Sequence, residues 1–181
     1  MGAHRDSKGL LIVHTGNGKG KTTAALGMLV RSLGHAHKCA VVQFIKGSQP
    51  TSETLLAKVA SSLGGSLTWE RCGEGFTWRN ADKTRDLELA QQGWEKVKAL
   101  LADPELRFLM LDELNIVLQH RFLDTETVLA DLLARQPKLH VVLTGRGAPE
   151  AILQAADLVT EMKEHKHPFQ AGIQAQAGIE F

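Results

Sequence analysis

The chain has 181 residues, 43% of them hydrophobic, which is enough for one domain with a sizeable core, and no composition shift or linker marks a second. Its 21 Lys and Arg against 20 Asp and Glu leave a formal net charge of +1, so no whole-molecule basic field exists to hold nucleic acid or an anionic membrane. The 2 cysteines, Cys39 and Cys72, are too few and too far apart for a disulfide framework, and no apolar run approaches the ~20 residues of a membrane span. Since the opening MGAHRDSKG also lacks the apolar segment of a secretion signal, the expectation is a reduced, cytoplasmic protein with neither a membrane nor a nucleic-acid partner.

Apolar, β-branched runs alternate with helix-period stretches, which predicts an α/β fold: a three-layer, mostly parallel sheet with helices on both faces. The first strand is read at Leu10–Thr15 and the helix after it at Lys21–Leu33, with Gly34 as its stop. A strand at Cys39–Ile45 leads into KGSQP. A weaker helix between Thr51 and Leu63 ends at Gly64-Gly65, and a short strand follows at Leu67–Arg71. From Asp82 to Leu101 the residues Leu87, Ala90, Trp94, Val97 and Leu101 recur at spacings of three and four, one buried stripe of a helix that places Trp94 in the core. Pro104 breaks it. Arg107–Leu111 is a strand closed by Asp112-Glu113, and Asp124 caps a helix with Val128, Leu129, Leu132 and Leu133 on one face. Leu139–Thr144 is a strand that ends in Gly145-Arg146-Gly147, Pro149 opens a short helix, and Leu158–Met162 is the last strand.

The chemistry concentrates where the first strand breaks into LLIVHTGNGKGKTT, Leu10 to Thr23. Gly16, Gly18 and Gly20 alternate with Asn17 and Lys19, and small residues between a strand and a helix let backbone N–H groups converge on phosphate oxygens at the helix N-terminus. Lys21 is placed to reach terminal phosphates, the Thr22 hydroxyl to take a Mg²⁺ position, and Thr23 to complete the first turn. The usual pattern asks for glycine five positions before Gly20; Thr15 stands there. The reading is a nucleoside-triphosphate site.

In open parallel sheets ligands gather beyond the carboxyl ends of the strands, so residues that close other strands join that site. FLMLDE supplies Asp112, a carboxylate for Mg²⁺ or, alternatively, a cap for the helix that follows. Glu113 either polarises a water or holds the metal. Arg146, between two glycines, either offers its guanidinium to phosphate or belongs to an ordinary surface turn. Phe76 and Trp78 in GEGFTW share one side of an extended segment; by residue type alone they read as core rather than as a platform for a flat ligand. His165 and His167 read as part of a solvated tail, not a metal site.

With GNGKGKTTAA, VVQFIKG, GFTW, LDELN, TGRG and AGIQAQAGIEF in this order, the chain resembles the ATP:corrinoid adenosyltransferases from Gly9 to Phe181. The resemblance implies a RecA-like, phosphate-loop fold, a homodimer, and transfer of the 5′-deoxyadenosyl group of ATP to the Co(I) of a reduced corrinoid with release of triphosphate. It also implies that Gly16 to Thr22 grip the triphosphate with Lys21 as electrostatic stabiliser, and that Thr22 with Asp112 or Glu113 holds Mg²⁺ (or Mn²⁺). Phe76 and Trp78 would then lie against the lower face of the corrin and displace its axial ligand, with electrons from a reduced flavoprotein. The chain departs from many members after GFTW, where Arg79, Asn80 and Ala81 replace a polar residue, Thr and Gln, and it has only eight residues ahead of Gly9. The competing readings are a phosphate-loop ATPase or kinase that transfers phosphoryl groups, and a nucleotide sensor without turnover.

Overall fold

A computed structural model describes residues 8–45, 52–73 and 83–179. In chain order these form β1 (Leu11–Thr15), α1 (Lys21–Gly34), β2 (Lys38–Gln43), a 3₁₀ turn at Ser52–Leu55, α2 (Leu56–Val59), a second 3₁₀ turn at Ala60–Leu63, and β3 (Ser66–Arg71). There follow α3 (Lys83–Ala102), β4 (Leu106–Asp112), α4 (Leu114–Gln119), α5 (Thr125–Leu133), β5 (His140–Thr144), α6 (Glu150–Ala155), β6 (Leu158–Glu161) and a 3₁₀ turn at Pro168–Ala171.

The strands make one 6-stranded sheet in the order β3-β2-β4-β5-β1-β6. Every neighbouring pair is parallel. Alternation along the strands divides the core in two. Leu11, Val13, Ala40, Val42, Leu109, Leu111, Val141 and Leu143 face α3 to α6, where Trp94, Val97, Leu114, Val128, Leu132 and Ile152 cover them. Ile12, Cys39, Val41, Phe108, Met110 and Val142 face α1, which answers with Ala25, Leu29 and Leu33. This is the three-layer α/β arrangement expected from the alternating pattern, and it follows because a strand buried on both faces needs apolar residues at every position.

Four local expectations change. The weak helix before β3 is a short α-turn between two 3₁₀ turns, closed by Gly64 at φ 89°. α1 includes Gly34, one residue beyond the expected end at Leu33, and the left-handed residue past it is Ala36 at φ 59° rather than the glycine. Leu87 is 37% exposed and Leu133 57% exposed, near the start of α3 and at the last residue of α5, whereas Ala90, Trp94, Val97, Leu101, Val128 and Leu132 are buried and Leu129 is partly buried against the core. Trp94 is buried as expected, and its indole N–H donates to Asp131 Oδ2 at 2.8 Å. Asp124 caps α5 through the Thr127 N–H at 2.8 Å. Both cysteines are buried free thiols, raised in pKa by burial. No helix among the described residues is long and apolar enough to cross a membrane.

Candidate functional site

The glycine loop is held by backbone geometry that its residues make possible. Thr15, where the usual motif has glycine, is still the last residue of β1, and its hydroxyl accepts the Ala148 N–H at 3.3 Å. The turn needs positive φ one residue later, at Gly16 (93°), where a Cβ would also run into the Met162 carbonyl oxygen. Gly20, at φ 111°, then opens α1. The Gly18 N–H donates to the Met162 carbonyl at 2.7 Å, so the chain leaving β6 forms one wall of the loop. Asn17, Lys19 and Thr23 are exposed.

Lys21 curls back over this loop, and its ammonium donates to the Gly18 carbonyl at 2.6 Å. Burial lowers its pKa from the ordinary lysine value; the Arg146 charge pushes the same way, Glu113 and Glu164 oppose, and Lys19 adds a small further push down. Those charges place Arg146 and Glu113 in the field of the loop. Arg146 is solvent-exposed beside it.

Asp112 closes β4 with no exposed surface, and its carboxylate is surrounded by donors. Thr22 Oγ1 and Thr144 Oγ1 donate to its Oδ1 at 3.0 and 2.7 Å, and Gln43 Nε2 donates to its Oδ2 at 3.0 Å. It does not cap α4: the residue before that helix is Glu113, and no side chain caps there. Glu113 instead takes a left-handed backbone, φ 63° and ψ 17°, a conformation that costs a non-glycine residue about 1–3 kcal/mol. The bend turns the chain sharply out of β4. It directs the Glu113 N–H to Thr144 Oγ1 at 3.0 Å and brings its carboxylate over Gly145.

Sequence analysis missed part of this arrangement. On the face that looks toward α1, β1, β2, β4 and β5 each carry near their carboxyl end a polar residue two positions after an apolar one: Ile12 then His14, Val41 then Gln43, Met110 then Asp112, Val142 then Thr144. Reading the strands at period two would have exposed this signal. His14 sets its Nδ1 3.2 Å from the Lys21 carbonyl, and Asn115 Nδ2 bonds the Gly145 carbonyl at 3.0 Å. Thus Gly16, Gly18, Gly20, Lys21, Thr22, Asp112, Glu113 and Arg146 converge at one end of the sheet. Phe76 and Trp78 lie outside the described residues. His165 is exposed, and His167 accepts the Phe169 N–H at 3.2 Å; among the described residues no group of three or more His, Cys, Asp or Glu side chains assembles.

Residues 7–181 match the family described as ATP:corrinoid adenosyltransferase BtuR/CobO/CobP. The chain belongs to this family. It is 49% identical to a corrinoid adenosyltransferase of Pseudomonas aeruginosa over 98% of this chain and 86% of that one. The corrinoid adenosyltransferases of a Sinorhizobium species and of Escherichia coli are 47% and 40% identical, covering 100% and 98% of this chain and 84% and 88% of theirs.

Proposed function

We propose that the chain transfers the 5′-deoxyadenosyl group of ATP to the Co(I) of a reduced corrinoid and releases triphosphate, as a single domain spanning residues 1–181. The observation that carries this reading is the Lys21–Thr22–Asp112 grouping on the glycine loop, in a chain that belongs to the ATP:corrinoid adenosyltransferases. The sheet is of the RecA-like, phosphate-loop type; its support is the glycine loop joining β1 to α1 with the acidic end of β4 beyond β5.

In this reaction the cobalt electron pair forms a Co–C5′ bond while the C5′–O bond breaks, and triphosphate leaves with the electron pair of that C–O bond. Co(I) needs no protein base. The protein's task is to align the two substrates and to stabilise charge on the leaving group. Gly16 and Gly18 shape the loop, Asn17, Lys19, Gly20 and Thr23 frame the triphosphate with backbone donors, and Lys21 and Arg146 set positive charge against it. Lys21 gives up its bond to the Gly18 carbonyl in exchange for phosphate.

The donor set beside the loop fits Mg²⁺ or Mn²⁺. Thr22 and Asp112 offer hard oxygen atoms, and because the Thr22 hydroxyl donates its hydrogen to Asp112, its lone pairs stay available. Thr22 and Asp112 would hold the ion, with Glu113 beside them. Bound there, the cation supplies charge neutralisation for the leaving polyphosphate. Phe76 and Trp78 take the role of the aromatic pair against the corrin, by their match to the family's GFTW segment. A reduced flavoprotein donor, a homodimer, and a cytoplasmic setting complete the proposal.

Product analysis tests it. Mg-ATP with chemically reduced corrinoid should give inorganic triphosphate and an alkyl-cobalt corrinoid. Orthophosphate or ADP as the only phosphorus product would mean phosphoryl transfer instead, and binding without a Co–C bond in a single turnover would mean a sensor.

A further inference from the structure

We propose that Gln43, clamped by Trp69, is a positioning residue that fixes the orientation of the Asp112 carboxylate and thereby tunes how strongly the site takes its divalent cation. The proposal rests on the reading of Thr22 and Asp112 as the residues that hold that ion.

Gln43 ends β2, a strand whose Cys39, Ala40, Val41 and Val42 have no exposed surface; Gln43 itself is only 1% exposed. Packing alone would be served there by leucine or methionine. A buried amide is tolerated only when both ends are hydrogen-bonded, and here both are: Nε2 donates to Asp112 Oδ2 at 3.0 Å, and Oε1 accepts the Trp69 indole N–H at 2.9 Å.

The direction of this relay is forced by chemistry. An indole nitrogen can only donate and a carboxylate can only accept, so the amide has a single orientation that satisfies both, carbonyl toward Trp69 and NH₂ toward Asp112. Strand register places the three residues for it. Gln43 is directly opposite Asp112 across β2 and β4, while Trp69 is opposite Val41, one same-face step before Gln43. Backbone bonds lock the same corner: the Phe44 N–H donates to the Asp112 carbonyl at 3.1 Å, and the Cys72 N–H to the Gln43 carbonyl at 2.9 Å.

The consequence for Asp112 is a division of labour between its oxygens. Gln43 occupies Oδ2, so Oδ1 stays with the hydroxyls of Thr22 and Thr144. Without Gln43 the carboxylate loses its Oδ2 donor, and its rotation about the Cβ–Cγ bond is less restrained, so the Thr22 hydroxyl faces a less fixed acceptor. Partners that orient a metal-holding group commonly change metal affinity about 10–100-fold when removed.

The test uses the full chain without corrinoid, so that binding and not turnover is read. Calorimetry of ATP in EDTA and in saturating Mg²⁺ gives the factor by which the cation strengthens nucleotide binding. Gln43→Leu should cut that factor about tenfold or more, and Trp69→Phe, which removes one N–H a step further out, about threefold. ATP affinity in EDTA should stay within about twofold of wild type in both, because the glycine loop and Lys21 are untouched. General loosening of the fold would lower both affinities together. An unchanged factor in Trp69→Phe, with a normal thermal midpoint, overturns the proposal even if Gln43→Leu does not fold. Asp112→Asn separates the two layers. If it leaves the factor intact, the cation reading fails and the relay with it; if it abolishes the factor while Trp69→Phe does not lower it, the relay alone fails.

Discussion

At the carboxyl ends of β1, β2, β4 and β5 the buried side chains are His14, Thr15, Gln43, Asp112 and Thr144, whereas at the amino ends of β2 and β4 Lys38 and Arg107 keep contact with solvent. Lys38, its side chain 40% exposed, pairs with Asp103 at 2.8 Å and Glu105 at 3.6 Å, and Arg107 donates to the Pro104 carbonyl at 2.6 Å. The same strands therefore carry polar groups at both ends, but the carboxyl end carries the fully buried ones. Buried polar atoms are costly unless fully partnered, and a fold that concentrates them at a single edge has a use for fixed dipoles there. At the other end the polar groups serve solubility and strand termination, for which water is an adequate partner.

The comparison is broken most directly by changing the loop's charge. Lys21→Ala should slow single-turnover adenosylation by about 10²–10³, of the order that removing a charge-stabilising donor costs, and an unchanged rate with reduced corrinoid would deny it that role. Gly16→Ala strikes the same end through the backbone. At φ 93°, with the Met162 carbonyl oxygen in the space of the new Cβ, it should destabilise the fold by about 1–3 kcal/mol in urea unfolding and weaken ATP binding as well. A neutral result would show that the loop can rebuild around a side chain.

The amino end should respond to pH rather than to nucleotide. His140, which opens β5, has its pKa lowered by burial and then by the His37 and Arg135 charges, and its Nδ1 accepts the Leu10 N–H at 3.2 Å. His37 is lowered as well, by burial and then by His35 and Arg107. A base with a depressed folded pKa leaves the unfolded chain to take the proton first. Stability is thus complete above the ordinary histidine value of about 6.5 and falls as the pH drops below it toward the folded value. Thermal midpoints should decline through that window, less than Gly16→Ala costs, and His140→Gln should flatten the decline; an equally steep fall in the variant would assign it to other groups. Smallest of all, Lys38→Met should leave the thermal midpoint and the ATP affinity unchanged within error, as exposed ion pairs usually do. A measurable loss of ATP binding there would mean that the two ends are coupled.

How much of this was legible before the fold was known differs by element. The glycine loop could be read because its cue is local: small residues, a lysine and a threonine within one turn, after an apolar run. Asp112 and Glu113 were legible as the polar close of a strand, but not the difference between them. Asp112 faces α1 and the Thr22 hydroxyl, while Glu113 sits in a left-handed turn over Gly145. Leu87 and Leu133 fit a helical stripe in sequence yet lie in the light, since periodicity gives a face and not how much of it is covered. Gln43 read as part of a strand and nothing more.

From the residues alone follow the alternation of strands and helices, the phosphate-binding turn and the chemistry of its side chains, because periods of two and 3.6 and the turn-forming residues are properties of near neighbours. The order β3-β2-β4-β5-β1-β6 was decided only by the packed structure, and with it the placing of Asp112 against Thr22, Gln43 against Asp112, and Met162 against Gly18. Those contacts join segments far apart along the chain. Which strands pair, and in what register, depends on burying both faces of the whole sheet at once, a condition that no short stretch of sequence contains.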